Sequence, residues 1–204
     1  MGSGLTEQEM AAIRQGIKEK YSRVAAAGSG CCFQYPTGEE GMMLQGYPLH
    51  LLKDVPKAFL DSFCGVGNPF SLGPINEGEA VLDIGCGAGV DTLVAARLVG
   101  PKGRVVGLDV TPEMVGKAQA NFALLPPQGN ISFQVGEAES LPFPEGEFDA
   151  VISNGVFNLT LDKEKALKEA YRVLKPGGRL LLADMVLVAD LPGELAGKVE
   201  NWYQ

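Results

Sequence analysis

One heptapeptide, Asp83-Ile84-Gly85-Cys86-Gly87-Ala88-Gly89, limits the fold more than any other part of the 204-residue chain. It follows a short apolar run at 80–85 that reads as a buried strand. It opens a helical pattern at 89–98, in which Val94 and Leu98 stand four apart with Ala95 on the same side. Closely spaced glycines let a backbone turn tightly and approach a ligand that a Cβ would block. A helix N-terminus behind such a turn offers N–H donors and a positive dipole end to a carboxylate or phosphate. Strand, glycine turn and helix in this order start a βαβ crossover, so the chain beyond should continue one.

It does. Residues 103–109 read as a second strand, and Thr111-Pro112 as a helix start, a hydroxyl cap followed by proline at the first helical position. Met114, Ala118 and Phe122 mark that helix's inner face. Strands are expected at 130–135 and 148–153. A helix is expected at 163–174 with Ala166, Leu167, Ala170, Tyr171 and Leu174 on one face, stopped by Lys175-Pro176-Gly177-Gly178 before a fifth strand at 179–186. The alternation predicts an α/β, doubly wound, mainly parallel Rossmann-like sheet covered on both sides. Only about a helix's worth of residues follows the fifth strand. The closing C-terminal strands of a seven-stranded sheet are therefore expected to be absent, and the domain over 77–204 to be C-terminally truncated.

Residues 1–76 have a different texture. One helical pattern spans 6–26, a glycine-rich stretch runs through Gly28-Ser29-Gly30-Cys31-Cys32, and a second helix is expected at 54–63, with Pro69 and Pro74 breaking the chain afterwards. This segment reads as a helical and loop-like lid on the substrate side.

Composition removes several classes. Apolar content of 46% is that of a globular chain, and a net charge of −8 gives no general attraction for phosphate backbones, so nucleic acid is set aside. No apolar run is long enough to cross a bilayer, and Met1-Gly2-Ser3-Gly4 is no signal peptide. The four cysteines, at 31, 32, 64 and 86, form no C-x-x-C pair and no disulfide framework, which points to a reducing cytoplasm. A single histidine, His50, builds no metal site, and no zinc-ligand spacing exists.

The second strand ends in Asp109, twenty residues past Gly89. A carboxylate there can accept hydrogen bonds from ribose hydroxyls; the alternative is a polar strand end that caps the turn before Thr111. A dinucleotide turn, G-x-G-x-x-G, would need glycine where Val90 stands. The observed G-x-G-x-G preceded by an acid is the pattern of S-adenosylmethionine sites, so a nicotinamide oxidoreductase is disfavoured.

Four further stretches carry a resemblance. Leu108-Asp-Val-Thr-Pro-Glu-Met-Val, Gly136-Glu-Ala-Glu-Ser-Leu-Pro-Phe, Phe148-Asp-Ala-Val-Ile-Ser-Asn and Arg172-Val-Leu-Lys-Pro-Gly-Gly-Arg-Leu resemble, in order and spacing, the successive motifs of class I methyltransferases. The resemblance implies that Asp83, Gly85, Gly87 and Gly89 line the methionine end of S-adenosylmethionine and Asp109 holds the ribose, with Cys86 inside the cofactor-binding loop, where a small turn residue is the alternative. It further implies that Val110 and Met114 flank the adenine, that Glu137 and Ala138 meet its edge, and that Asn154 faces the transferred methyl. Core packing is the alternative for Met114 and Ala138, and a solvated helix-start acid the one for Glu139.

A closer resemblance, to the arsenite methyltransferase family, runs nearly the full length. It rests on Tyr21-Ser-Arg-Val-Ala, Cys31-Cys32, Gly67-Asn-Pro69, Gly89-Val-Asp91, Val99-Gly-Pro-Lys-Gly-Arg-Val-Val-Gly, Ser153-Asn154, Asn158-Leu and Asp162-Lys163. It implies trivalent arsenic as methyl acceptor, with Cys31 and Cys32 as As(III) ligands and catalytic thiols beside Asn154; thiolates suit soft centres. Two small loop residues without chemistry are the alternative for that pair. The chain departs from the family at Gly155, where a catalytic cysteine would follow Ser-Asn. It departs again at Cys64, which is shifted from a family cysteine before Gly-Asn-Pro. The reaction this implies is in-line methyl transfer, in which the protein holds nucleophile and methyl close, aligned and dry. Two other outcomes stay open: a methyltransferase of a small organic acceptor such as a quinone precursor or lipid, and a protein that binds S-adenosylmethionine without catalysis.

Overall fold

The computed structural model describes residues 5–27, 30, 32–127 and 129–186. Its centre is a sheet of five strands, β1 (Ala80–Ile84), β2 (Arg104–Asp109), β3 (Asn130–Val135), β4 (Phe148–Asn154) and β5 (Leu174–Ala183), in the order β3-β2-β1-β4-β5. All four neighbouring pairs are parallel. The crossovers carry α4 (Val90–Val99) after β1, α5 (Pro112–Phe122) after β2 and α6 (Lys163–Val173) after β4. The N-terminal part contributes α1 (Glu7–Ala27), α2 (Gly38–Leu44) and the single turn α3 (Lys57–Leu60).

The strand order reverses between β1 and β4. In open α/β sheets a ligand crevice forms outside the carboxyl ends of the strands at such a switch point. Ile84 pairs with both Leu108 and Ser153, so the ends of β1, β2 and β4 lie side by side there. Buried side chains fill both faces of the sheet: Leu82, Ile84, Val106, Leu108 and Val151 with Ala166, Ala170 and Val173 of α6 on one, and Val81, Val105, Ala150 and Ile152 with Ala95, Ala96 and Val99 of α4 on the other. Each strand alternates its side chains between the two layers, which is why the central strands read as continuous apolar runs. β3 sits at an edge and is largely exposed, and its Asn-Ile-Ser-Phe-Gln-Val alternates accordingly.

Three local expectations change. The helix expected at 54–63 shrinks to one turn, because Pro56 lacks an N–H and restricts Val55 before it. Between the glycine-rich stretch and that turn, where no helix is expected, lie α2 and a 3-10 turn at Leu49–Leu52. Lys175-Pro176-Gly177-Gly178 does not separate α6 from its strand. β5 starts at Leu174 opposite Phe148, and pairing resumes only at Arg179 opposite Ala150, so these residues form a bulge inside the strand, which ends at Ala183 rather than 186. α5 starts with Thr111 at its cap and Pro112 in its first turn, but the threonine hydroxyl caps no amide. Residues 5–76 share a core with the sheet domain: Met42, Tyr47, Leu52, Phe59 and Phe63 pack with Val90, Leu93 and Val94 of α4. The expected loss of C-terminal strands concerns 187–204, outside the described residues. Among the described residues no helix is long and apolar enough to cross a membrane.

Candidate functional site

A cavity opens at the switch point. Gly85 and Gly87 form its floor, Asp109, Val110, Glu137 and Ala138 one wall, and Asn154, Gly155 and Val156 the other. The chain reaches this shape because β1 ends in a turn that only glycines follow. Gly85, Gly87 and Gly89 have φ values of +74°, +51° and +91°, a left-handed region that other residues seldom adopt. At Gly85 a Cβ would stand 2.1 Å from a Val156 methyl, whereas at Gly87 it would meet nothing within 4 Å. Gly87 therefore keeps open a space on the cavity floor that a side chain would fill.

Asp109 is 8% exposed. Its Oδ2 accepts the Gly87 N–H at 2.9 Å and its Oδ1 the Thr111 N–H at 2.8 Å. Two amide donors fix the carboxylate, and each oxygen retains acceptor capacity for a hydroxyl from the cavity. Burial raises this carboxyl above its usual range, and the Thr111 and Gly87 amides oppose that shift. Apolar Leu108, Val110 and Ala138 stand beside it, a setting that fits the flat, apolar faces of a nucleoside base next to a ribose diol.

Of the other described residues singled out in the sequence, five do not line the cavity. Asp83 is buried beneath the turn, where its Oδ2 accepts the Thr92 hydroxyl at 2.6 Å and ties β1 to α4. Burial, then the neighbouring Asp91 charge, pushes its carboxyl well above the usual range. Cys86 is buried, with its sulfur against Gly107. Gly89 packs on Ala118 and Phe122. Met114 is in the core of α5. Cys32 is half-buried away from the cavity lining, and Cys31 lies outside the described residues.

Asn154 lines the cavity, but its amide points elsewhere. Oδ1 accepts the N–H groups of Val66 at 2.8 Å and Gly67 at 3.1 Å. Nδ2 donates toward Gly67 O, the Tyr47 hydroxyl and Asp91 Oδ2. Gly155, where a cysteine was expected by resemblance, has φ +73°, and a Cβ there would stand 3.2 Å from a Val66 methyl.

The sequence placed the N-terminal segment on the substrate side but assigned no site role to α1 or to Cys64. Arg14, Ile17, Lys18 and Tyr21 face the cavity from α1, Cys64 from the turn after α3, and Leu159, Thr160 and Leu161 from the loop after β4. The i, i+3, i+4, i+7 spacing of the α1 residues marks one helix face, and Tyr21 also opens one of the stretches that carry the resemblance. Burial pushes the Cys64 thiol up to about 12, with the Asp109 and Asp91 charges acting the same way. The Lys20 ammonium lies within electrostatic reach of both Cys32 and Cys64. Among the described residues no group of three His, Cys, Asp or Glu side chains is arranged to hold a metal ion.

The sequence model of a family described as a methyltransferase domain matches residues 75–204. An arsenite methyltransferase of Halobacterium salinarum is 36% identical over 195 residues, covering 89% of this chain and 49% of that protein. A ubiquinone/menaquinone biosynthesis C-methyltransferase of an Enterobacter species is 43% identical over 111 residues, 54% of this chain and 44% of that protein. The crystal structure of an arsenic(III) S-adenosylmethionine methyltransferase from Chlamydomonas reinhardtii superposes with a TM-score of 0.65 at 41% identity, covering 72% of this chain and 51% of that one. The chain thus spans about half the length of the curated relatives it matches.

Proposed function

Because the chain belongs to the methyltransferase domain family, with that family's Rossmann-like parallel sheet, we propose that its cavity binds S-adenosylmethionine and that the protein transfers a methyl group to a small acceptor, trivalent arsenic first among them. One observation carries the cofactor reading: the Asp109 carboxylate, held by two backbone amides beside the open space at Gly87. Asp109 would accept the ribose hydroxyls, Val110 and Ala138 would flank the base with Glu137 at its edge, and Gly85 and Gly87 would let the backbone approach the methionine end. Asp83 would support the turn from beneath, as Cys86, Gly89 and Met114 would by packing.

When bound, S-adenosylmethionine supplies an electrophilic methyl together with its own leaving group. The chain's task is then positioning and exclusion of water. Ile17 and Tyr21 of α1 line the cavity, which supports reading residues 1–76 as the lid and the substrate side. Holding acceptor and methyl in a fixed near-attack geometry contributes on the order of 7–11 kcal/mol. Trivalent arsenic needs no general base, because its lone pair attacks directly. Cys32 and Cys64, near one lysine, are the thiols available to it among the described residues, with Cys31 adjacent in sequence. A thiol pushed up to about 12 is protonated at neutral pH, so Cys64 would bind arsenite by passing its proton to an arsenic hydroxyl, the sulfur–arsenic bond forming as that arsenic–oxygen bond breaks and water leaves. Cysteine usage favours a reducing, cytoplasmic setting.

A second reading has its own observation. Gly155 stands where the resembled family has a catalytic cysteine, and its left-handed backbone disfavours a side chain, whose Cβ would also press on the Val66 methyl. An organic acceptor, bound on the apolar side formed by Ile17, Val156 and Leu159, needs no thiol there. The test is calorimetric titration of S-adenosylmethionine into reduced protein, with NAD as control, followed by methyl transfer to arsenite in the wild type and in Cys31→Ser/Cys32→Ser and Cys64→Ser. Cofactor binding lost in Asp109→Ala together with thiol-dependent arsenite turnover supports the first reading. Cofactor binding with thiol-independent turnover of a hydroquinone supports the second. No cofactor binding overturns both.

A further inference from the structure

Three segments far apart in the chain meet around one amide. Asn154 ends β4, Asp91 lies in the first turn of α4, and Tyr47 follows α2. Tyr47 Oη donates to Asp91 Oδ1 at 2.6 Å. Asn154 Nδ2 has three acceptors within reach, Gly67 O at 2.8 Å, Tyr47 Oη at 2.9 Å and Asp91 Oδ2 at 3.0 Å, for its two hydrogens. Its Oδ1 takes the N–H groups of Val66 and Gly67. The Asn154 amide is thus locked in one orientation: turned over, it would set N–H against N–H at the turn and oxygen against the Asp91 carboxylate. The turn is seated so closely that a Cβ on Gly65 would stand 2.2 Å from Asn154 Nδ2. Cys64, one residue before, lines the cavity.

We propose that Tyr47 and Asp91 are positioning residues of the methyl transfer: acting through Asn154, they hold the 64–67 turn, and with it the Cys64 thiol, against the cofactor cavity. This rests on the reading of that cavity as a methyl-transfer site. Neither residue lines the cavity, and both are buried. Two buried polar side chains are expensive unless every bond is made, so the network fixes one geometry rather than a range. Burial also pushes the Asp91 carboxyl up to about 6, against its bonds from Tyr47 and Asn154. Among the described residues, the Asp83 carboxylate, the Tyr47 phenol and the Cys64 thiol feel its charge.

Tyr47→Phe and Asp91→Asn test this in the full chain. Tyr47→Phe keeps the ring contacts with Phe63 and Phe70, so it remains informative should Asp91→Asn fold poorly. Three quantities are read: deuterium exchange of the peptide spanning 64–68, the Kd of S-adenosylmethionine, and KM and kcat for arsenite. Losing a hydrogen bond to a charged group corresponds to about a tenfold loss of exchange protection at the turn. The acceptor KM rises by a similar factor while the cofactor Kd stays within about threefold. Unchanged protection at 64–68, or a cofactor Kd that worsens in step with the acceptor KM, overturns the proposal and leaves a purely structural network. If the wild type turns over a hydroquinone and not arsenite, the same split is read with that acceptor. If it turns over neither, the exchange and Kd results still decide whether Tyr47 and Asp91 hold the turn, and the acceptor reading alone fails.

Discussion

Gly85 and Gly87 share a left-handed backbone, yet they have opposite surroundings. An alanine at 85 drives its Cβ into a stiff valine, while an alanine at 87 points into open cavity. Gly85→Ala should therefore lower the melting temperature by several degrees, and Gly87→Ala should cost only the strain of a positive φ, about 1 kcal/mol. Cofactor affinity should show the reverse for Gly87→Ala: calorimetry should find binding weakened at least tenfold in a folded protein. Asp91 makes a prediction of its own. Its folded pKa, about 6, lies above the ordinary 3.8, so folding favours its protonated form. That contribution is full below about pH 4 and is lost as pH rises through 6. Asp91→Asn should thus look worst, relative to wild type, at pH 4 and improve toward pH 7 in paired melting curves.

α1 is held by Ile13, Ile17 and Val24, which are buried, and it packs chiefly on α5. Ile17 also faces the cavity, so a substitution there mixes docking with ligand contact; Ile13, fully buried and absent from the cavity lining, separates the two. Ile13→Ala should weaken the docking of α1 by about 2–4 kcal/mol. Deuterium exchange over Glu7–Ala27 should speed up, and S-adenosylmethionine should bind less tightly although no contact to it was removed. Unchanged affinity would mean that α1 only borders the cavity.

At the scale of the molecule, the N-terminal part and the sheet domain share a core and several long-range bonds. The Arg97 guanidinium on α4 donates to Leu51 O and to the Asp54 carboxylate, and Tyr47 reaches Asp91. A ligand bound between them should stabilise both. Saturation at one hundred times Kd corresponds to about 2.7 kcal/mol. The added protection should appear in α1 as well as in the turns after β1, β2 and β4, and NAD should produce neither. Protection confined to residues beyond 77 would argue against a lid.

The sequence by itself determined the parallel sheet, its helices, and the glycine turn and Asp109 that border the cavity. These depend on local signals, such as strand-length apolar runs, the glycine turn, Asp109 at a strand end and Thr111-Pro112 at a helix start, which a chain displays whatever its partners do. Tertiary structure decided what local patterns cannot express. Asp83 and Met114 fit the motif as well as Asp109 does, yet burial turns the first two into the core and leaves the third at the wall. Asn154 was legible as a site residue, but its partners Tyr47, Asp91 and Gly67 are 107, 63 and 87 positions away, and no periodicity links such separations. Cys64 and the inner face of α1 reach the cavity only because the N-terminal segment folds back over the switch point of the sheet. That return is set by packing against α4 and α5, a long-range choice for which no short stretch of sequence carries the instruction.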